Sequence, residues 1–492
     1  MDDFLLFDTF SKSKLRQHPP QQGKPFKIYS CGPTVYRYVH LGNLRTFLLS
    51  DLVRRVAEYA GHTVFQVMNI TDVGHLEDER LDQGRDKLLI AAEVEGKTPE
   101  EIADYYSKAF FSDIARVGIL PADVYPRASD HIPQMIELIE ELLRKGHAYA
   151  ADGNVYFDVA SFESYGSLSG NTLGNLVAGH RKHTHDPNKR RPEDFLLWRK
   201  AGPGRLVKFD SPFGEGFPGW HIECSAMSLA YLGPDIDVHT GGVDLIFPHH
   251  ECEIAQSEGA VGRRVVRTWV HGAYLLQAGQ KMAKSKLNDL RITTLEEEGV
   301  DPLAFRYLCF TARYRKQLEF SWESLLASDR ALRKLRERVE GLGSDGSEVT
   351  PAETRDWESR FRSAIFNDLD MPAALQVVHA LVRDRSTPPS VKAHLLARWD
   401  SVLGLQLLPQ EPRGLRDFEH SPRAQRQESE VSGSLSEGEI QRLLDQRARA
   451  RSAGDYVTAD SIRDQLLAAG IEVQDTPEGT TWRIANPKAS GT

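Results

Sequence analysis

The sequence predicts an α/β protein built on a parallel sheet, followed by a helical bundle and a small C-terminal α+β unit. Three observations predict it. The first is a strand–helix–strand unit near the start. KPFKIYSC at 24–31 reads as a strand that ends at Gly32 and Pro33, and Leu44, Phe47, Leu48, Leu52, Val53 and Val56 then fall at helical spacing from Asn43 to about Tyr59. Gly61 closes that helix, and TVFQVMNI at 63–70 reads as a buried strand, a unit of the size parallel sheets use. The second is another α/β stretch from about 218 to 275, with the strand-like segments IDVHT and VVRTWV. The third is a change to helical periodicity beyond about 300, over 303–339, 354–383 and 390–404.

The remaining segments follow in order. Residues 75–98 are rich in Glu, Asp and Lys and read as an exposed insertion. Amphipathic helices are expected at about 100–117 and 131–145, then a hairpin in HAYAADGNVYFD that turns at Asp152-Gly153. Residues 179–194 are polar and basic, as in a long loop. The stretch 409–437 has few apolar residues and cannot bury much surface, so it reads as a disordered linker. Helices from about 437 to 469 and short strands at IEVQD and TTWRI end the chain. There is no internal repeat.

At 492 residues the chain has room for roughly two to four domains. With 40% hydrophobic and 27% charged residues, it can bury a large core. A formal net charge of -9 argues against binding nucleic acid through overall positive charge, while leaving room for a local basic track. No stretch approaches the ~20 apolar residues of a membrane span. The start, MDDFLLFDTFSKSK, lacks the pattern of a signal peptide. Cys31, Cys224, Cys252 and Cys309 are widely scattered, which suits reduced thiols or metal ligands in a cytoplasmic protein better than a disulfide framework.

Three short segments carry chemistry. HLGN, His40 to Asn43, is a strand-to-helix turn. A helix N-terminus has unsatisfied N–H groups and partial positive charge, Gly42 permits close approach of a nucleotide, and His40 adds a donor for phosphates. KMAKS, Lys281 to Ser285, places two lysines on one loop, where they could close over a triphosphate. FPHHECEIAQSE at 247–258 sets His249 and Glu253 four apart, on one face of a helix, and both residue types bind zinc. Cys224 or Cys31 could add a thiolate, and Cys252 is a further candidate, so spacing leaves the ligand set open. Taken singly, each segment also fits an ordinary turn, a solvated basic loop or a buried helix-capping histidine.

Together they resemble one family. CGPTVYRYVHLGNLRT resembles the first signature of class I aminoacyl-tRNA synthetases in its cysteinyl-tRNA synthetase form, and KMAKS resembles the second. MNITD, PRASDHI, PGWHIECSAMS and GGVDLIFPHHECEIAQS match that family in order between them. NDLDMPAAL resembles part of its helical bundle, and DYVTADSIRDQLLAAGIEVQDTPEGTTWR its anticodon-binding unit. The resemblance implies a Rossmann-like catalytic domain over 1–300 with an inserted segment at about 100–215. It further implies a bundle at 301–405 for the tRNA stem, a linker at 406–437 and an anticodon-binding unit at 438–492.

It also implies one Zn2+ on Cys31, Cys224, His249 and Glu253, and a cysteine pocket at Gly32, Thr34, Thr71, Trp220 and Asp244. ATP with Mg2+ is expected at His40, Gly42, Asn43, Lys281 and Lys284, of which His40, Asn43, Lys281 and Lys284 would be catalytic. Cys252 stands where the family usually has Asn and is read as a bystander. Asn43 replaces the usual His, Ala283 replaces the middle Ser of the second signature, and Val73, Gly74 and His75 replace an acidic run.

The implied partners are cysteine, ATP and tRNA(Cys), with no membrane, for a cytoplasmic monomer. Cysteine's carboxylate would attack the ATP α-phosphate, and the terminal ribose hydroxyl of tRNA would then take the cysteinyl group. Arg442, Arg447, Arg449, Arg451, Arg463 and Arg483 are candidate phosphate contacts, and Trp482 a base-stacking residue or a core residue. Two other readings share these motifs: an ATP-dependent ligase joining cysteine to a small amine, and a non-catalytic tRNA- or nucleotide-binding paralogue.

Overall fold

A computed structural model describes residues 2–18, 23–73, 76–78, 83–171, 186–203, 205–281, 290–342, 349–408, 471–476 and 479–484, with single positions at 447, 462 and 466. The chain divides into two compact units, Met1–Phe418 and Glu419–Thr492.

The centre of the first unit is a four-stranded parallel sheet. Its spatial order is Val266–Gly272, Ile236–Gly242, Phe26–Ser30, Val64–Met68. From Phe26–Ser30 the chain crosses through the helix Leu41–Tyr59 to one side, and from Ile236–Gly242 through Glu251–Val261 to the other. The strand order therefore reverses between these two inner strands. In open α/β sheets the crevice beyond the carboxyl ends at such a reversal is where ligands bind. Cys31 and Gly242 sit at those two ends.

The Leu41–Tyr59 helix starts where the sequence puts it, because His40 and Asn43 cap it reciprocally. Its apolar stripe buries Leu44, Leu48, Leu52 and Val56. The hairpin turns at Asp152-Gly153 as expected, both at positive φ (48° and 79°). Its strands join Phe195–Lys200 and Gly216–Pro218 in a four-stranded antiparallel sheet.

Three expectations change. Residues 75–98 are not simply an exposed insertion: they hold the strand pair Leu76–Asp78 and Gln83–Asp86 and the helix Lys87–Glu95, whose Leu88 and Ala92 bury against Leu41, Ile102 and Phe110. The helical runs 303–339 and 354–383 are each two helices: Pro302–Phe310 and Trp322–Glu340, separated by the strand Leu318–Phe320, and Pro351–Ile365 and Met371–Arg383. The helices beyond 300 also share one core with the sheet, in which Phe26, Ile28, Leu52 and Val56 pack with Leu375, Leu395 and Trp399. A buried ion network reinforces that joint: Arg306 donates to Asp51 at 2.6 Å and to the Leu403 carbonyl at 2.6 Å, and Arg55 donates to Asp51 at 2.7 Å.

In the second unit Ile471–Thr476 and Gly479–Ile484 form an antiparallel pair, as IEVQD and TTWRI predict. Arg447, offered by the sequence as a phosphate contact, is buried rather than exposed. The linker, most of the expected 437–469 helices and the remaining candidate arginines except Arg483 lie outside the described residues.

Candidate active site

A cavity of about 190 Å³ opens at the strand-order reversal, and its lining includes Cys31, Gly32, Thr34, Asn43, Thr71, Trp220, Cys224, Asp244 and His249. Local structure explains each placement. Cys31 and Gly32 end a central strand, and Gly32 must be glycine, because a Cβ there would lie 1.7 Å from the Asn69 carbonyl oxygen. Its N–H donates to Asn69 Oδ1 at 2.9 Å, and Asn69 Nδ2 donates to Thr71 Oγ1 at 3.0 Å. Thr34 pairs with Thr71 in a parallel bridge. Trp220 and Cys224 lie four apart on the helix Trp220–Leu232, so both face the cavity.

One wall is a cluster of metal-type donors. Cys31, Cys224, His249 and Glu253 are all buried, and one donor atom from each lies within 4.8 Å of the others. His249 Nε2 is 3.0 Å from Glu253 Oε1, and Cys31 Sγ is 3.7 Å from that same oxygen. Tetrahedral coordination with zinc bond lengths puts donors roughly 3.3–3.8 Å apart, so the set needs only small adjustment. Two sulfurs, one imidazole and one carboxylate also match zinc's preferences.

His249 does not belong to the regular helix. It sits in the irregular turn Ile246–His250 just before Glu251–Val261, which still brings its ring over Glu253. The electrostatics are those of a tight charged nest. Hydrogen bonding with Cys31 is the main influence that draws the Cys224 thiol down to about 6, against burial. Burial opposes charge on His249, but the Glu253 carboxylate and Cys224 overcome it and raise the ring to about 10. Burial pushes the Cys31 thiol well up.

Sequence reasoning missed the shell behind these donors. His221 and His249 meet through their Nδ1 atoms at 2.8 Å, which leaves His249 Nε2 toward Glu253. His239 Nε2 lies 3.0 Å from Glu253 Oε2, and His250 Nδ1 lies 2.8 Å from His271 Nε2. Cys31, His239, His250 and Glu253 thus form a second four-donor group sharing two members with the first. Only the first group has three members on the cavity wall; neither His239 nor His250 lines it. Cys252 is in neither group and sits 3.4 Å from the Tyr165 hydroxyl.

The other wall is the candidate nucleotide side. The Asn43 N–H donates to His40 Nδ1 at 3.2 Å, and the His40 N–H donates to Asn43 Oδ1 at 3.3 Å. With Nδ1 accepting, a neutral His40 carries its proton on Nε2. Gly42 lies in the first turn of that helix. Lys281 ends a hairpin, Leu275–Gln277 with Gln280–Lys281. Its ammonium donates to Asp244 at 3.0 Å and lies 4.4 Å from the centre of the Tyr274 ring. Two residues expected to hold different substrates are therefore engaged with each other. Lys284 and the rest of KMAKS lie outside the described residues.

Residues 17–330 match the model of the family described as "tRNA synthetases class I (C) catalytic domain", and residues 435–483 that of the "Cysteinyl-tRNA ligase anticodon binding domain". A cysteine–tRNA ligase from Thermus thermophilus is 41% identical over 491 residues, covering 98% of this chain and 99% of that one. Another from Treponema denticola is 38% identical, covering 97% and 99%.

The chain belongs to the cysteine–tRNA ligase family.

Membership makes it a class I aminoacyl-tRNA synthetase by family, and the fold agrees. A crystal structure of Mycobacterium tuberculosis methionyl-tRNA synthetase bound by methionyl-adenylate superposes with a TM-score of 0.53 at 15% identity, covering 78% of this chain and 90% of that one. Among the described residues no helix is long and apolar enough to cross a membrane. The cavity brings the metal-type donors Cys31, Cys224 and His249 together with Asn43 of the first-signature helix and with Asp244; His40, Gly42 and Lys281 are not in its lining.

Proposed function

We propose that this chain activates cysteine with ATP to cysteinyl-adenylate and pyrophosphate, then transfers cysteine to the 3′-terminal ribose of tRNA(Cys). The observation that carries the reading is the buried Cys31–Cys224–His249–Glu253 group opening onto a small cavity at the sheet's strand-order reversal, in a chain of this family. Zinc held by that group would take the substrate side chain as a thiolate and pass over serine, whose hydroxyl is a poor ligand that stays protonated.

The chain's own residues do the rest. Trp220, whose ring centre lies 4.3 Å from that of His249, closes over the small side chain. Asp244 receives the substrate ammonium in place of Lys281, which frees Lys281 for the phosphates. His40, with its proton on Nε2, donates to the phosphate oxygens at the positive end of its helix. Lys284 completes the cradle. Neither chemical step calls for an enzyme nucleophile, so placement and charge stabilisation carry the acceleration. ATP enters with Mg2+, and the enzyme acts as a cytoplasmic monomer.

The test is cysteine-dependent exchange of pyrophosphate into ATP, followed by cysteine transfer to tRNA(Cys) beside amino-sugar acceptors. The reading expects exchange and transfer to tRNA. Exchange with transfer only to the amine would make the chain a cysteine:amine ligase, and no exchange by zinc-loaded protein would leave a binding protein.

A further inference from the structure

We infer that a rim of tyrosines, each beside a cation, is the docking platform for the unpaired 3′ nucleotides of the tRNA; this rests on the function proposed above. The chain runs out of the cavity through Tyr36, Arg37 and Tyr38 before entering the first-signature helix, and Arg37 and Tyr38 line the cavity. The Arg291 guanidinium lies 3.3 Å from the centre of the Tyr38 ring. Beside Tyr38 stands Tyr105, ring centres 6.0 Å apart at 67°, with the Lys97 ammonium 4.6 Å from the Tyr105 ring centre. Tyr36 has Arg37 at 5.3 Å and Lys87 at 5.9 Å. Tyr106, buried, sits edge-on to both Tyr38 and Tyr105 and fixes their orientation from below.

This alternation of rings and cations is the pattern that holds single-stranded nucleic acid, since every base offers a π-face and every linkage a negative charge. Four cations gather on this rim in a chain whose net charge is -9. Glu95 lies 2.9 Å from Lys97 and Asp113 lies near Arg291, so the four cations share the rim with carboxylates. Tyr105 is 45% exposed, so its ring is open to a ligand.

The occupant follows from the chemistry at the cavity. The terminal ribose hydroxyl has to reach the activated carbonyl, so the last nucleotides must cross this rim unpaired. Lys87 and Lys97 come from the 75–98 segment, which thereby acquires a role: it carries half the cations of the platform.

The experiment uses full-length enzyme with Tyr105→Ala, Lys97→Ala, the double substitution and Tyr105→Phe. Aminoacylation of tRNA(Cys) is measured at saturating cysteine and ATP, with cysteine-dependent pyrophosphate exchange, which takes no tRNA, as the internal reference. The ratio of aminoacylation kcat/KM to exchange should fall about tenfold in Tyr105→Ala, the size expected of one lost stacking contact. Tyr105→Phe, which keeps the ring, should restore it. Lys97→Ala should reduce the slope of log KM for tRNA against log salt by about 0.7. An unchanged ratio in the double variant would overturn the assignment, as would an equal fall in exchange, which would make the ring structural. Absence of exchange in the unsubstituted enzyme would instead refute the function itself.

Discussion

The two walls of the cavity are built on opposite plans. On the amino-acid side, Cys31, Cys224 and His249 on the wall and Glu253 behind it are buried and locked among His221, His239 and Trp220. On the candidate nucleotide side, Asp244 lines the cavity and Lys281 lies beyond its lining; their side chains are 47% and 43% exposed, and among the described residues they hold each other, with the Tyr274 ring beside Lys281. On the function proposed above, the side that tells sulfur from oxygen needs donors fixed before the substrate arrives, and the side that grips phosphates as charge redistributes needs cations that can change partner. The Lys281–Asp244 pair suits the second task, because an exposed ion pair holds with only about 0–1 kcal/mol and yields to a better partner.

This contrast orders the expected effects. Glu253→Ala strikes the fixed side: losing the carboxylate takes an acceptor from both His239 and His249. Its cost is expected at about 3–5 kcal/mol of folding stability, read by denaturant unfolding, together with loss of bound metal. Lys281→Ala strikes the exchangeable wall. It should raise the activation barrier by roughly 3–4 kcal/mol, seen as a fall in exchange kcat, while stability and metal content hold. If Lys281→Ala also lost metal, the walls would not be separable.

Gly32→Ala tests the junction between them. A methyl group cannot fit against the Asn69 backbone, so about 1–3 kcal/mol of stability should go and the KM for cysteine should rise. Asp244→Asn gives the smallest structural effect: less than about 1 kcal/mol in unfolding, with a clear rise in the KM for cysteine. A large loss of stability would show that the pair is structural.

The sequence exposed these walls unequally. The grouping of the four donors was legible because long motifs stand in register with a family whose resemblance implied that set, and the fold brings the four together. Alone, the spacing reached only the His249–Glu253 pair, since Cys31 and Cys224 come close through strand order. His239, His250 and Asn69 were hidden for the same reason: each supports the site from a neighbouring strand or turn. The charge of residues 75–98 masked Leu88 and Ala92, four apart, which bury the helix they lie on. His40 and Asn43 read as phosphate donors, and the fold shows that they first cap their own helix.

The most direct measurement is zinc content and substrate preference of the unsubstituted enzyme beside Cys224→Ala. Dialysed protein is assayed for metal, and exchange kcat/KM is compared for cysteine and serine. A metal-built choice predicts one zinc per unsubstituted chain and a preference of at least about 10⁴-fold, both lost in the variant, with discrimination falling toward the roughly 10–200-fold that packing alone supplies. A Cys224→Ala enzyme that kept its zinc and still rejected serine as strongly would contradict the account.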